Sequence, residues 1–451
     1  MKNPVTIEIE KIVYGGLGLG RAGGKVVFIP FTAPGDRISA AILKEKKNYL
    51  EAEIRTVEKP SPKRISPFCP VFGFCGGCHL QHLSYDDQIS VKEEQLRSSL
   101  HRLLAKRHFE ILPTLQAPHD RGYRIRAQLK ASLAGGRTIV GFHGIKSHRV
   151  VEIDRCPLLH PLANKILQEL YSRIERWKGK IQLRNAEILV SPEEGKGVIR
   201  LAGEGACGSE ILQEMVQESS CLKGAQFFQG KNRTTWGDTN LQFRLPSERS
   251  REPVKVKIAA ESFFQVNPFQ NVNLIRKIEE WAGLTGGENV LDLFCGAGNL
   301  TLPLARKAAR VWGVDVDPAA ISAAEENARQ NFLKNCSFRA ATAHAGISRI
   351  LKETNQVDLV VLDPPRAGAA EALEPIARLR PSKILYVSCE PPTLARDLAR
   401  LGGLGYQVTR LQPLDMFPHT YHLEAIAELL SGSHLQLSIK PSPPPLINID
   451  N

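Results

Sequence analysis

The chain has 451 residues, 42% of them hydrophobic and 24% charged, a length beyond what one core usually organises and a composition that excludes disorder throughout. Its 59 Lys and Arg against 47 Asp and Glu leave a net charge of +12, which favours polyanionic partners such as nucleic acid. The opening MKNPVTIEIEK has no apolar h-region and no run of about 18 apolar residues occurs, so neither a secretory signal nor a membrane span is expected.

Residues 1–57 read as short strands, VTIEIEKIVYGG, LGLGRAGGKVVFIP, DRISAAILKEKK and YLEAEIRTVE, separated by glycine turns. That pattern predicts a small β-barrel of the kind that holds oligonucleotides on one face. Lys44, Lys46, Lys47 and Tyr49 add charge and an aromatic ring, which an ordinary solvated hairpin would also carry. A basic, proline-punctuated linker, EKPSPKRISP (58–67), leads to a cysteine loop and an amphipathic helix near DDQISVKEEQLRSSLHRLLAK. From about 108 to 257 strands and helices are mixed and no topology is readable. Within it RGYRIRAQLK (121–130) alternates charge with apolar residues, as a strand with one cationic face would. A doubly wound pattern then runs from near 269 to about 430, and the tail SGSHLQLSIKPSPPPLINIDN is expected to be disordered. No internal repeat is found. The expected fold is thus α/β, a doubly wound catalytic domain (258–430) behind an RNA-binding barrel (1–58) and a mixed α+β, RNA-binding central domain (59–257), with a tail at 431–451.

Nine cysteines, an odd number, in a long chain of this kind point to a reducing cytoplasm, where clustered thiols bind metal or do chemistry. CPVFGFCGGC spaces Cys69, Cys75 and Cys78 as C-x5-C-x2-C, and DRCPLLHP adds Cys156. Four thiolates can close a zinc site or hold an iron–sulfur cluster, and composition does not choose between them. His79 and His82 would suit zinc. Cys207, Cys221, Cys295 and Cys336 read as structural.

ENVLDLFCGAGNLTLPLAR (288–306) is a strand, a glycine turn and a helix start, with Asp292 at the strand's end. AARVWGVDVDPAAISAAEENARQN (308–331) repeats the pattern, and Asp315 is placed to accept both ribose hydroxyls of a nucleoside-like cofactor. The turn is G-A-G-N and lacks the third glycine of a dinucleotide loop. Asp292 beside it would repel phosphates, so the cationic S-adenosylmethionine fits better than a dinucleotide. VDLVVLDPPRAG (357–368) is a buried strand ending at Asp363. ILYVSCEPPTLARD (384–397) is another, ending at Cys389 where two prolines forbid continuation. A thiol at that edge faces a crevice, although a small buried hydrophobe is the commoner fate of a free cysteine.

Together FFQVN (263–267), DLFCGAGNLTLPLA, DPPRAG, SCEPPTLARD and FPHTYHLEAIAEL resemble the uracil-C5 RNA methyltransferases, which make 5-methyluridine with S-adenosylmethionine. The similarity covers nearly all of the chain to about 430. It includes a TRAM-like N-terminal part and the cysteine loop, and points to the bacterial 23S rRNA branch that carries an iron–sulfur cluster. The resemblance implies that Cys389 is the nucleophile and Glu424 the general base. It further implies that Gln265, Phe294, Asn299, Asp315, Thr342 and Asp363 contact cofactor or substrate, and that Cys69, Cys75, Cys78 and Cys156 hold a [4Fe-4S] cluster, zinc being the alternative. Glu390 stands where the family usually has Asn, Asp315 where it often has Glu, and Thr342 where Asn or Asp commonly meets the adenine. The implied partner is RNA, 23S rRNA in particular, with no membrane, no obligate protein partner and a cytoplasmic location.

Carbon 5 of uracil is too electron-poor to attack a methyl sulfonium, and a thiolate adding at carbon 6 turns the ring into a nucleophilic enolate. A carboxylate must then remove the carbon 5 proton before the thiol can leave. Both ring faces are needed, so the target must leave its stack, which favours a loop or remodelled hairpin. Three other readings stand beside this one. They are the same chemistry on tRNA, an inactive RNA-binding protein, and an amino-group methylase using D-P-P-R, which would need no thiol.

Overall fold

The computed structural model describes residues 4–105, 109–177, 179–205, 207–247, 252–354 and 356–432. Most of the expected tail, from 433 onward, lies outside the described residues. Near the N-terminus five strands close into a barrel in the order Val5–Val13, Leu17–Ala22, Lys25–Pro30, Tyr49–Lys59, Arg37–Glu45. Side chains two apart along each strand share a face, so Ile7 and Ile9, Val27 and Ile29, and Ile38 and Ala40 turn inward together and form its core.

A seven-stranded sheet follows, ordered Asn232–Gly237, Leu222–Gln229, Lys196–Gly205, Ile181–Ser191, Arg126–Ala134, Arg137–His143, Val150–Glu152. The helix Pro161–Arg176 covers it with Ile166, Leu167, Leu170 and Ile174, one buried stripe at helical spacing. Lys196–Gly205 and Leu222–Gln229 run parallel, joined through the helix Ser209–Gln217.

The third body is an eight-stranded sheet in the order Cys336–Ala340, Arg310–Asp315, Asn289–Leu293, Leu359–Leu362, Lys383–Ser388, Glu424–Ser431, Tyr406–Leu414, Glu110–Ile111. The first five are parallel, the inner four mostly buried and the edge strand Cys336–Ala340 partly exposed; Glu424–Ser431 enters antiparallel beside Lys383–Ser388. The chain starts in the middle at Asn289–Leu293, builds outward to one side, then returns to build the other. Such a reversal opens a crevice at the carboxyl ends of the two central strands. The crevice therefore lies between Leu293 and Leu362.

The helix Tyr85–Leu104 straps the barrel to this sheet. Ser84 caps it by accepting the Asp87 amide at 3.1 Å. Its Gln95 donates to the Val13 carbonyl of the barrel at 3.1 Å, and its fully buried Lys92 donates to Asp415 at 2.6 Å and to the Phe417 carbonyl at 3.1 Å. Leu96, Leu100 and Leu103 join the catalytic core beside Leu398 and Leu401. With Glu110–Ile111 pairing at the sheet edge, segments that the sequence reading assigns to the central domain complete the catalytic layer.

Within the cluster RGYRIRAQLK, three residues near its N-terminal end are engaged by other parts of the protein, while Lys130 lines an open groove. Arg126 is spent on the Ala260 and Ser262 carbonyls at 2.6 and 2.8 Å, Tyr123 is fully buried with its hydroxyl donating to Pro418 O at 3.1 Å, and Arg121 lies 3.8 Å over the Phe68 ring. Alternation predicted which residues share a face, but buried carbonyls without partners attract arginines more strongly than solvent does. Among the described residues no helix is long and apolar enough to cross a membrane.

Candidate active site

Ile384–Val387 is a fully buried β-branched and aromatic run. It stops because Pro391 and Pro392 begin the helix Pro391–Gly403, whose first positions tolerate residues without an N–H. Cys389 stands half-buried in the two-residue gap between strand and helix. The antiparallel register pairs Ser388 with Ala425, so the preceding residue of the partner strand, Glu424, comes beside Cys389. Opposed residues in such a pair hold their Cβ atoms roughly 5 Å apart. Glu424, 4% exposed, is the first residue of its strand.

Burial pushes the Cys389 thiol up to about 12, helped by the charges of Glu424 and Asp363, while Arg366 pulls it down. Asp363, at the end of Leu359–Leu362, is pushed up to about 6 by burial. Burial, then Asp363, raises Glu424 well above an ordinary carboxyl. In the resting enzyme the thiol keeps its proton, and the two carboxyls beside it are the acceptors within reach.

A small pocket occupies the crevice predicted by the strand order and is lined by Gln265, Asp292, Phe294, Asn299 and Asp363, among others. Gln265 donates to Asp363 at 3.3 Å, which ties this pocket to the thiol side of the sheet. Phe294 holds a φ of +63°, a costly conformation for a bulky residue and typical of ligand clamps. Gly298 has a φ of +96°, and a Cβ there would come 2.8 Å from Leu302. Asp315 accepts the Gly296 amide at 2.9 Å and the Asp317 amide at 2.9 Å, so its carboxylate is aimed and retains lone pairs for two hydroxyls. Burial drives Asp292 up to about 7 despite a 2.5 Å hydrogen bond from Thr301, with the nearby Asp363 and Asp315 adding to the rise. Three carboxyls crowded around one pocket are relieved by a cation, so the donor set fits S-adenosylmethionine and not a pyrophosphate.

Gln265, Phe294, Asn299 and Asp363 line this pocket, and Asp315 is tied to it through the Gly296 amide. Asn299 lines the pocket with its amide locked to Asn271 by two reciprocal bonds of 2.8 and 3.0 Å. Thr342 stands just past the strand Cys336–Ala340, next to Ala341, whose amide donates to the Asp315 carbonyl at 2.8 Å; its hydroxyl caps the helix Ala343–Glu353, accepting the Ala345 amide at 3.3 Å, and like Asp315 it is not among the pocket's lining residues.

Cys69, Cys75 and Cys78 lie on one loop, and Cys156, between Val150–Glu152 and Pro161–Arg176, is close enough for its charge to act on them. Burial raises Cys75, Cys78 and Cys156, and each is raised further by the charges of other cysteines in the set. The Gly77 amide points at Cys75 Sγ at 3.4 Å, and the amides of Leu158 and Leu159 donate to Cys156. Among the described residues no group of three or more His, Cys, Asp or Glu is arranged to hold a metal ion as it stands. His82 is engaged elsewhere, on the Thr32 carbonyl at 2.9 Å, and burial lowers His79 to about 4.

Sequence reasoning passed over Arg366, His422 and Tyr14. Arg366 was legible in D-P-P-R as a cation one turn beyond Asp363; it sits 3.3 Å from His422 Nε2. Burial, with Arg366 next, lowers His422 to about 3, so its ring stays neutral. Phe263, 70% exposed, stands at the pocket's rim.

The tRNA (Uracil-5-)-methyltransferase family model matches residues 247–431, and the TRAM domain model matches residues 3–54. An uncharacterized RNA methyltransferase of Halalkalibacterium halodurans is 33% identical over 94% of this chain and 96% of its own. A 23S rRNA (uracil(1939)-C(5))-methyltransferase of Aeromonas salmonicida is 35% identical over 94% of this chain and 95% of its own. Among solved structures, the Pyrococcus abyssi tRNA (uracil-54, C5)-methyltransferase in complex with S-adenosyl-L-homocysteine is similar over 94% of this chain and 100% of its own, with a TM-score of 0.74 and 26% identity.

Proposed function

The chain belongs to the RNA uracil-C5 methyltransferases, enzymes that use S-adenosylmethionine, and from that premise we propose that it methylates a uridine of 23S rRNA through a covalent bond to Cys389. The observation that carries the mechanism is the pairing of a half-buried thiol with a buried carboxyl across one antiparallel register, beside the pocket that fits the methyl donor. When bound, S-adenosylmethionine supplies an electrophilic methyl group. Cys389 Sγ adds to carbon 6 as its proton passes to a neighbouring carboxylate, and the ring becomes an enolate. Asp363, anchored by Gln265, is suited to hold the uracil through its N3 proton. Once carbon 5 carries the methyl, Glu424 takes the carbon 5 proton and Sγ is expelled. Glu424 ends neutral, the state its buried setting favours.

Support for an RNA path comes from an open groove, lined by Phe28, Phe31, Tyr49, Phe142, Lys130 and Lys146, that runs from the barrel past the cysteine loop to Tyr421. Aromatic faces and amines side by side suit unstacked bases and backbone phosphates. The 23S rRNA reading is preferred to tRNA because the 23S rRNA relative is 35% identical and the tRNA enzyme 26%. Incubation with labelled cofactor should place 5-methyluridine in 23S rRNA transcripts and none in tRNA transcripts, after nuclease digestion and chromatography. Label confined to tRNA would reverse the choice.

The same proposal assigns a [4Fe-4S] cluster to Cys69, Cys75, Cys78 and Cys156. Burial and then the charges of neighbouring cysteines raise Cys75, Cys78 and Cys156, and backbone amides are aimed at two of these sulfurs; with Cys69 they form a donor set that metal charge would stabilise. Held there, the cluster supplies a cross-link between the loop and the central sheet. Protein purified without oxygen is expected to carry about four irons and four sulfides per chain, and Cys78→Ser to lose most of them. Stoichiometric zinc in place of iron would overturn the assignment.

A further inference from the structure

We infer that Tyr14, on the first turn of the N-terminal barrel, positions the nucleophile by holding the side chain of Glu390; this rests on the covalent role proposed for Cys389. The Tyr14 hydroxyl donates a short hydrogen bond to Glu390 Oε1, across 376 positions of sequence. Glu390 directly follows Cys389 and occupies the N-cap of Pro391–Gly403, yet its side chain makes no capping bond. Pro392 removes the second of the helix's amides that such a cap could serve, and the carboxylate reaches the barrel instead. The Glu390 backbone is anchored locally, its amide donating to Ser388 Oγ at 3.2 Å and its carbonyl accepting from Leu394 at 2.9 Å. Cys389 is therefore fixed by a strand on one side and, on the other, by a residue whose side chain the barrel holds.

The same barrel turn also touches the segment that leads to Glu424. Tyr14 meets Tyr421 edge to face at 5.5 Å, and His79 of the cysteine loop meets the same ring at 4.8 Å. A Cβ on Gly16 would lie 3.1 Å from His79 Cβ and 3.5 Å from Tyr421 Cβ, so the turn seats where almost no side chain fits. The amides of His79 and Leu80 both donate to the His419 carbonyl, at 2.9 and 3.1 Å. Barrel and cysteine loop thus grip both strand ends that carry the reacting groups. Misplacement of a reacting group by about 1 Å can cost about a hundredfold in rate, so a hydrogen bond remote from the chemistry has a kinetic consequence.

The test compares Tyr14→Phe, Glu390→Ala, Glu390→Gln and the Tyr14→Phe/Glu390→Ala double variant. Tyr14→Phe and Glu390→Ala should each lower kcat by about tenfold, with KM for RNA little changed and the double variant no slower than either single one. Glu390→Gln, whose amide oxygen still accepts from Tyr14, should keep kcat near wild type. Additive losses, or a rise in KM with kcat intact, would overturn the inference and make Tyr14 an RNA contact. A second readout needs no RNA: alkylation of Cys389 by iodoacetamide, followed by peptide mass, should accelerate severalfold in Tyr14→Phe and Glu390→Ala but not in Glu390→Gln. Equal alkylation rates in all four proteins would exclude the latch whatever the RNA substrate proves to be.

Discussion

Replacement of Cys389 by Ala should abolish methyl transfer, by about 10⁴-fold or more as for other covalent nucleophiles, with cofactor affinity preserved. The cofactor pocket and the thiol lie on adjacent parts of the sheet edge, and Cys389 is not among the residues that line the pocket. The fold should tolerate the change, because the residue is half-buried outside the strand and makes no side-chain hydrogen bond that braces its neighbours. With RNA carrying 5-fluorouridine, the wild-type enzyme should form a stable adduct, since fluorine at carbon 5 cannot leave as a proton does. The alanine variant should form none. Turnover by the alanine variant within tenfold of wild type would favour the amino-group methylase reading of D-P-P-R. An adduct mapped by mass spectrometry to another side chain would leave Cys389 as a packing residue.

Glu424→Gln should stall the reaction one step later. Glutamine keeps the shape of the side chain and loses the ability to take a proton, so methylated uridine should remain bonded to Cys389 with natural RNA. Turnover should fall by about 10² to 10⁴-fold, the usual worth of a positioned base, while the burst of covalent adduct persists on denaturing gels. An enzyme that turns over normally without Glu424 has its base elsewhere, Asp363 being the next candidate. The pH dependence has a definite sign. A base must be ionised, and burial pushes Asp363 up to about 6 and Glu424 upward as well. Wild-type kcat should therefore decline as pH falls through about 6, above the ordinary carboxylate range. Stability runs the other way. A carboxyl raised in the folded state binds its proton more tightly there than in the unfolded chain, so its stabilising contribution is full below about 4 and is lost as pH rises through the folded value. Glu424→Gln removes a desolvated charge and should raise Tm at pH 8 relative to wild type. A lower Tm there would mean that the carboxylate has a stabilising partner in the fold.

The residues of the site were legible to different degrees. Asp292, Asp315, Asp363 and Cys389 each end an apolar run at a turn, so strand period and proline or glycine punctuation place them at one edge without coordinates. Glu424 was not placed by its own pattern. By itself it reads as a surface residue on an edge strand and its proposed role comes from resemblance; the antiparallel register places it next to the residue before Cys389, and it is only 4% exposed. Thr342 was also assigned by resemblance, and the fold adds that its hydroxyl caps a helix. The basic cluster at 121–130 looked like a solvent-facing stripe because charge alternates with apolar residues, yet Arg126 is turned inward by two carbonyls that belong to another segment.

Local information was enough for what depends on near neighbours: the barrel's alternation, the run of parallel strands, the glycine turn, and the thiol before two prolines. Those features follow from backbone periodicity and turn chemistry, which act over a few residues. Contacts between distant segments required the fold. The sequence does not specify that Tyr14 meets Glu390, that Lys92 buries its charge against Asp415, or that the barrel turn packs on Tyr421. Each depends on which segments pay the entropy of meeting, and that is decided when three layers pack together and buried polar groups take whichever partner lies within reach.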